Sequence, residues 1–141
     1  MARAEDLVAT RRPDSADGFV HGDLWQGNVL WDDATLTSVL DWDCAGRGPA
    51  GVDLGSLRCD AAICFGLAAA EDVLAGWQDQ AGRPAEDVAY WDAVAALSTP
   101  PDMGWFPDAL ADQGRLDRTQ ELLLDRRDRF LAAAIGALDR L

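Results

Sequence analysis

The chain predicts an α+β fold that is mostly α, with one short antiparallel hairpin near its start packed on a helical bundle. Two observations carry this. Strand-length patterns are confined to the stretch from Phe19 to Trp42, and after Trp42 apolar residues recur at steps of three and four, as one face of a helix requires. The size agrees: 141 residues at 49% hydrophobic can bury one core, so residues 1–141 read as a single domain.

The first eighteen residues leave room for one short helix and a polar turn. Phe19 and Val20 form a strand entering a loop. Residues 28–31 and 36–42 then read as the two strands of a hairpin, joined through Asp32 and Asp33, whose side chains suit a turn because they bond their own backbone. Residues 46–51, with three glycines and a proline, read as a flexible connector. Asp53 can cap the first main helix, where Leu54, Leu57, Ala61 and Cys64 share a face. A second helix is expected over 68–80, stopped by Gly82 and Pro84, and a third over 85–97, stopped by Pro100 and Pro101. Met103, Trp105 and Phe106 fall in the next loop, exposed, where they either line a substrate pocket or plug the core. The last segment, 115–141, is the longest helix candidate. Leu116, Leu123, Phe130, Ala134 and Leu138 lie on its apolar face, and Asp125, Arg126, Asp128 and Arg129 form an exposed charged strip.

The most informative stretch is His21-Gly22-Asp23-Leu24-Trp25-Gln26-Gly27-Asn28, followed thirteen residues later by Asp41 in Val39-Leu40-Asp41-Trp42-Asp43. That spacing sets a carboxylate, an amide and a second carboxylate on two short strands and the loop between them. Phosphoryl transfer needs a group that orients the attacking hydroxyl and accepts its proton, and oxygen ligands for magnesium; the rest is positioning and charge neutralisation. Asp23 suits the first role. Asn28 and Asp41 are hard oxygen donors of the kind magnesium takes, with phosphate and water completing its shell. All three must converge on one phosphate. Gly22 lets the loop bend tightly and Gly27 allows close backbone approach. Trp25 and Trp42 are placed to shape this site, whereas Trp77 and Trp91 fall at helical packing positions.

The pattern H-G-D-x-x-x-x-N, then an apolar strand ending in Leu40-Asp41-Trp42, resembles the aminoglycoside phosphotransferase and choline kinase group, which has a protein-kinase-like fold. Pro49 with Asp53-Leu54-Gly55 continues the family's P-x-x-x-D-L-G/A pattern in register. The resemblance implies that Asp23 is the catalytic base, that Asn28 and Asp41 hold Mg2+, and that His21 and Asp53 brace the catalytic loop. It further implies ATP or GTP as co-substrate and a small-molecule acceptor hydroxyl on an aminoglycoside, a sugar or an amino alcohol.

Such enzymes hold the nucleotide under a glycine-rich loop and against a lysine, in a lobe that precedes the catalytic loop. Only twenty residues precede His21, and all twelve basic residues are arginine. The chain therefore reads as the C-terminal lobe, with the nucleotide-binding N-lobe absent or supplied by a separate chain, and with little turnover alone. Two other readings stand beside it. One is a non-catalytic binding or partner module derived from the same fold. The other is a magnesium-dependent hydrolase built from His21, Asp23, Asp41 and Asp43, for which one histidine in the whole chain is a thin ligand set.

A formal charge of -13 argues against nucleic acid, whose backbone demands a positive surface, and favours a cationic substrate. Cys44, Cys59 and Cys64 are an odd number without a C-x-x-C pair, which supports neither disulfides nor zinc; Cys59 and Cys64 read as small hydrophobes. The N-terminal residues lack the apolar core of a signal peptide, and no run is long enough to span a bilayer, so no membrane association and a cytoplasmic location are expected.

Overall fold

The computed structural model describes residues 2–104, 106–112, 114–115 and 117–140. Helix α1 (Ala2–Thr10) buries Ala4 and Leu7. It packs against α4 (Val88–Ser98) and α6 (Gln120–Leu138), so the N-terminal residues close one side of the helical core. Strand β1 (Asp17–Val20) pairs antiparallel with β4 (Gly46–Pro49), with Phe19 opposite Arg47 and Val20 opposite Gly46. The hairpin β2 (Val29–Asp32) and β3 (Thr35–Val39) is a separate antiparallel pair, Val29 opposite Val39.

The glycine-rich stretch expected as a connector is thus a strand. Glycine weakens strands only by its entropy and lack of side chain, and the four-residue ladder with β1 forms nonetheless, with Arg47 also 3.3 Å from Asp17 across it. The hairpin also ends earlier than expected. Asp33, with φ of 50°, takes the turn, and β3 stops at Val39, so Asp41 lies just beyond the strand and Asn28 just before one.

Helices α2 (Gly51–Phe65), α3 (Leu67–Ala81), α4 and α6 form the core, with α2 in contact with the other three. The stripe Leu54, Leu57, Ala61 and Cys64 understates α2: residues 58 to 64 are all buried, Leu57 only partly. Two charged side chains, Arg58 and Asp60, are included. Helix α3 ends at Gly82 in the left-handed conformation, as expected. Helix α4 begins at Val88, later than the pattern suggested, because Asp87 itself is left-handed with φ of 53°.

Three expectations for the C-terminal third need correction. Met103 is fully buried in the core, not exposed in a loop, and Phe106 opens a short helix, α5 (Phe106–Asp112); Trp105 lies outside the described residues. The last helix begins at Gln120, where Thr119 caps it by accepting the Leu122 amide, and ends at Leu138. Leu123, Phe130, Ala134 and Leu138 are buried on it, while Leu116 is outside the described residues. Arg126 leaves the exposed strip: its guanidinium donates to the carbonyls of Ile63 and Cys64, satisfying the C-terminal end of α2. Cys59 and Cys64 are buried, as read from the sequence, and Cys44 is exposed. Among the described residues no helix is long and apolar enough to cross a membrane.

Candidate active site

The loop from His21 to Asn28 is held to the fold by its own polar groups. Asp53, in the first turn of α2, does not cap that helix. Its carboxylate accepts the backbone amides of His21 at 2.7 Å and Gly22 at 2.8 Å, one on each oxygen. A helix start offers Asp53 free amides of its own, but the loop amides take it, and charge-assisted bonds of this kind are about twice as strong as neutral ones. The start of α2 is therefore the anchor of the loop.

His21 is buried and spends both ring nitrogens on backbone. Nε2 lies 2.8 Å from the carbonyl oxygen of Leu40, and Nδ1 lies 3.3 Å from the amide of Asp23. A carbonyl can only accept and an amide can only donate, so the proton sits on Nε2 and Nδ1 receives Asp23. Leu40 is gripped a second time, its amide donating to the carbonyl of Asn28 at 2.8 Å. Leu40, the residue immediately before Asp41, is thereby fixed to both ends of the loop. Trp42 covers the arrangement, its ring 4.5 Å from the His21 ring and stacked on Phe19 at 5.8 Å.

Asn28 is buried and joins the loop to itself. Its Nδ2 donates to the backbone oxygen of Asp23 at 2.9 Å and to the Asp23 carboxylate at 3.1 Å. An amide nitrogen committed in this way leaves Oδ1 as the free donor atom, a hard oxygen suited to magnesium. Asp41 is exposed, adopts the left-handed conformation with φ of 57° and ψ of 67°, and its carboxylate accepts no hydrogen bond among the described residues. Aspartate is one of the few residues that tolerates this backbone. The donor set of Asn28 and Asp41 therefore fits a small hard cation.

Gly22 has φ of 83°, and a Cβ there would stand 2.3 Å from the Cys44 oxygen, so both conformation and space require glycine. A Cβ on Gly27 would overlap the Trp25 ring at 2.3 Å. The close approach at Gly27 is thus to an indole of the same loop.

Asp23 borders two adjoining clefts between the loop, α2 and α4. One, of about 180 Å3, is lined by Asp23, Trp25, Asp60, Thr99 and Phe106 among others. The second, of about 270 Å3, shares Asp23, Ser56, Ala95 and Thr99 with it. Trp25 and Phe106 meet at 5.9 Å between ring centres, so Phe106 and Trp25 both reach the pocket, while Met103 serves the core. Neither Asn28 nor Asp41 lines these clefts. Asp23 lines both clefts and is also joined to Asn28.

Asp60, which sequence reading left without a role, faces the first cleft. Burial, opposed by bonds from the Gln26 amide at 3.1 Å and the Cys64 thiol at 3.5 Å, pushes its carboxyl up to about 6. Nothing in the local sequence signals this, since Asp60 lies between Cys59 and Ala61 in an apolar stretch.

The model of the phosphotransferase enzyme family matches residues 1–97, and the chain belongs to that family. A thermostable mutant of aminoglycoside phosphotransferase APH(4)-Ia, solved in its apo form, is similar in fold, with a TM-score of 0.56 at 20% identity over 96% of this chain and 44% of that one. At such identity the likeness is one of fold, and the chain spans less than half the length of that structure. No curated protein matches the sequence.

Proposed function

We propose that Asp23, Asn28 and Asp41 form the acceptor-activating and metal-holding part of a small-molecule kinase, which moves the γ-phosphate of ATP or GTP to an acceptor hydroxyl. The observation that carries this is the join of Asp23 to Asn28 at 3.1 Å, with Leu40, the residue before Asp41, bonded to the Asn28 carbonyl at 2.8 Å. Asp23 orients the acceptor hydroxyl and takes its proton. Asn28 and Asp41 would hold magnesium, which would neutralise charge on the transferred phosphate. Acceptor bound in the clefts would reach Asp23, which lines both of them.

The acceptor is best matched by a cationic amine-bearing alcohol, an aminoglycoside or a smaller amino alcohol. Asp23 and Asp60 line the first cleft and no arginine lines either one. The reading as a hydrolase is weakened by His21, whose two nitrogens are spent on Leu40 and Asp23, and among the described residues no three His, Cys, Asp or Glu side chains group as metal ligands.

No lysine occurs in the 141 residues, and the nucleotide-gripping loop is not among them. Phe19, Trp31 and Leu36 on the strands and Trp42 next to Asp41 are exposed, apolar surface that a nucleotide-bearing lobe, in the same or another chain, would cover. The test is transfer of labelled γ-phosphate to kanamycin-like, choline-like and neutral sugar acceptors, by these residues joined to a nucleotide lobe from a family member. Amine acceptors should be phosphorylated and Asp23→Asn should remove at least about a hundredfold of the rate, the scale of general base catalysis. A chimera that folds and binds ATP yet transfers nothing would overturn the reading in favour of a binding module.

A further inference from the structure

The 3-10 turn Gln26–Asn28 carries Asn28 into place, yet nothing local caps it: Trp25 precedes it and offers no side-chain acceptor. The first amide of such a turn has no partner within the turn, and a buried amide without one is costly. Asp60 supplies the acceptor from α2, its Oδ2 receiving the Gln26 amide at 3.1 Å. Asp60 lies seven residues after Asp53, two turns along the same face of α2. The two positions are therefore about 10 Å apart along the axis, and residues 22 to 26 can bridge that, since four residues reach at most about 14 Å.

We propose that Asp60 is a positioning residue: together with Asp53 it clamps the catalytic loop onto one face of α2 at both ends, and so fixes the pairing of Asp23 with Asn28. Asp53 holds residues 21 and 22 ahead of Asp23, and Asp60 holds residue 26 behind it. The same helix then sets the loop's position and its length of travel.

The energetics support a positional role over a stabilising one. Asp60 is 5% exposed and, among the described residues, no cation pairs with it, in contrast to buried Asp92, which Arg58 grips at 2.9 Å. One backbone amide and one weak thiol donor do not repay the desolvation of a carboxylate, as its raised proton affinity shows. An apolar residue there would serve the core better. It would leave the Gln26 amide without an acceptor.

The catalytic meaning of the clamp rests on the phosphotransferase reading, but the clamp is a structural claim and its test needs no turnover. The 141-residue chain, Asp60→Asn and Asp60→Leu are compared by amide hydrogen exchange and by the Asn28 side-chain amide resonances, which report its bond to Asp23. Asp60→Leu should speed exchange at Gln26 by roughly tenfold, the scale of one net hydrogen bond, and move the Asn28 side-chain signals toward those of a free amide. Asp60→Asn keeps an acceptor oxygen and should restore both. In each variant α2, α4 and α6 should exchange as in the parent. An unprotected Gln26 amide in the parent, or Asn28 signals that do not move in folded Asp60→Leu, would overturn the clamp and leave the phosphotransferase reading standing. If Asp60→Leu fails to fold, Asp60→Ser, too short to reach Gln26, takes its place under the same criteria.

Discussion

His21 donates from Nε2 to the carbonyl oxygen of Leu40 at 2.8 Å across nineteen residues of sequence, and Leu40 is the residue before Asp41. The histidine of the loop is thus a strut between Asp23 and the residue before Asp41. Its chemistry is spent on holding backbone in register. Removing it should disturb a residue it does not touch.

His21→Ala should cost about 2 to 3 kcal/mol, because two ring bonds and the packing against Trp42 go together. Urea denaturation gives the loss. The backbone resonances of Leu40 and Asp41 should shift more than those of α3, which lies elsewhere in the core; equal small shifts everywhere would speak against the strut.

Gly22→Ala forces a side chain into a left-handed position and against the Cys44 oxygen. A loss of about 2 kcal/mol or more is expected, with the loop displaced. Gly18→Ala, where a Cβ meets nothing within 4 Å, is the control and should change stability far less.

Arg58 donates to both oxygens of Asp92 at 2.9 and 3.0 Å and to the Ala70 carbonyl, all inside the helical bundle, and also to Glu71, which is exposed. Burial pushes the Asp92 carboxyl up, against the pull of Arg58. Arg58→Met leaves that carboxylate without its cation and should destabilise by about 3 to 5 kcal/mol in thermal or urea unfolding. Adding Asp92→Leu should recover most of the loss. A double variant no better than the single one would show that the pair does more than neutralise itself.

Asp60 predicts a pH dependence with a definite sign. Its folded carboxyl lies near 6 against an ordinary 3.8, so the folded state binds the proton more tightly than the unfolded one. Its contribution is fully present below about pH 4 and is lost as pH rises through 6, by roughly 3 kcal/mol for a shift of this size. Asp60→Asn lacks that loss. The difference in unfolding free energy between Asp60→Asn and the parent should be small at pH 4 and grow in favour of the variant by pH 7. A difference that does not change over this range would contradict the buried, unpaired carboxylate.

Much of the candidate site's local arrangement was legible in the sequence because its contacts are short-range. His21, Asp23 and Asn28 lie within one loop and Asp41 just past the hairpin that follows it, where spacing alone limits what can meet. Asp53 was legible in identity and not in partner, since a helix-start aspartate reads as a cap until the fold brings another backbone to it. Asp60 and the Arg58–Asp92 pair were not legible: a charge inside an apolar helical stretch has no local signal, and its partners lie thirty-four residues away. Strand β4 was hidden by its glycines, because its pairing is decided by β1 and not by propensity. Met103 showed as a loop residue because burial from a turn leaves no period to read.

Where a divalent cation settles on this chain tests most directly whether Asn28 and Asp41 form a metal site beside Asp23. The measurement is paramagnetic broadening by Mn2+, standing in for Mg2+, in the 141-residue chain without nucleotide. Binding should be weak, because two protein oxygens leave most of the shell to water. At low Mn2+ the broadening should centre on Asn28, Asp41 and Asp23, and Asp41→Asn should remove it there. The surface carries many competing carboxylates, including the turn aspartates Asp32 and Asp33. Broadening that centres on that turn, or spreads evenly over the acidic surface and ignores Asp41→Asn, would contradict the account.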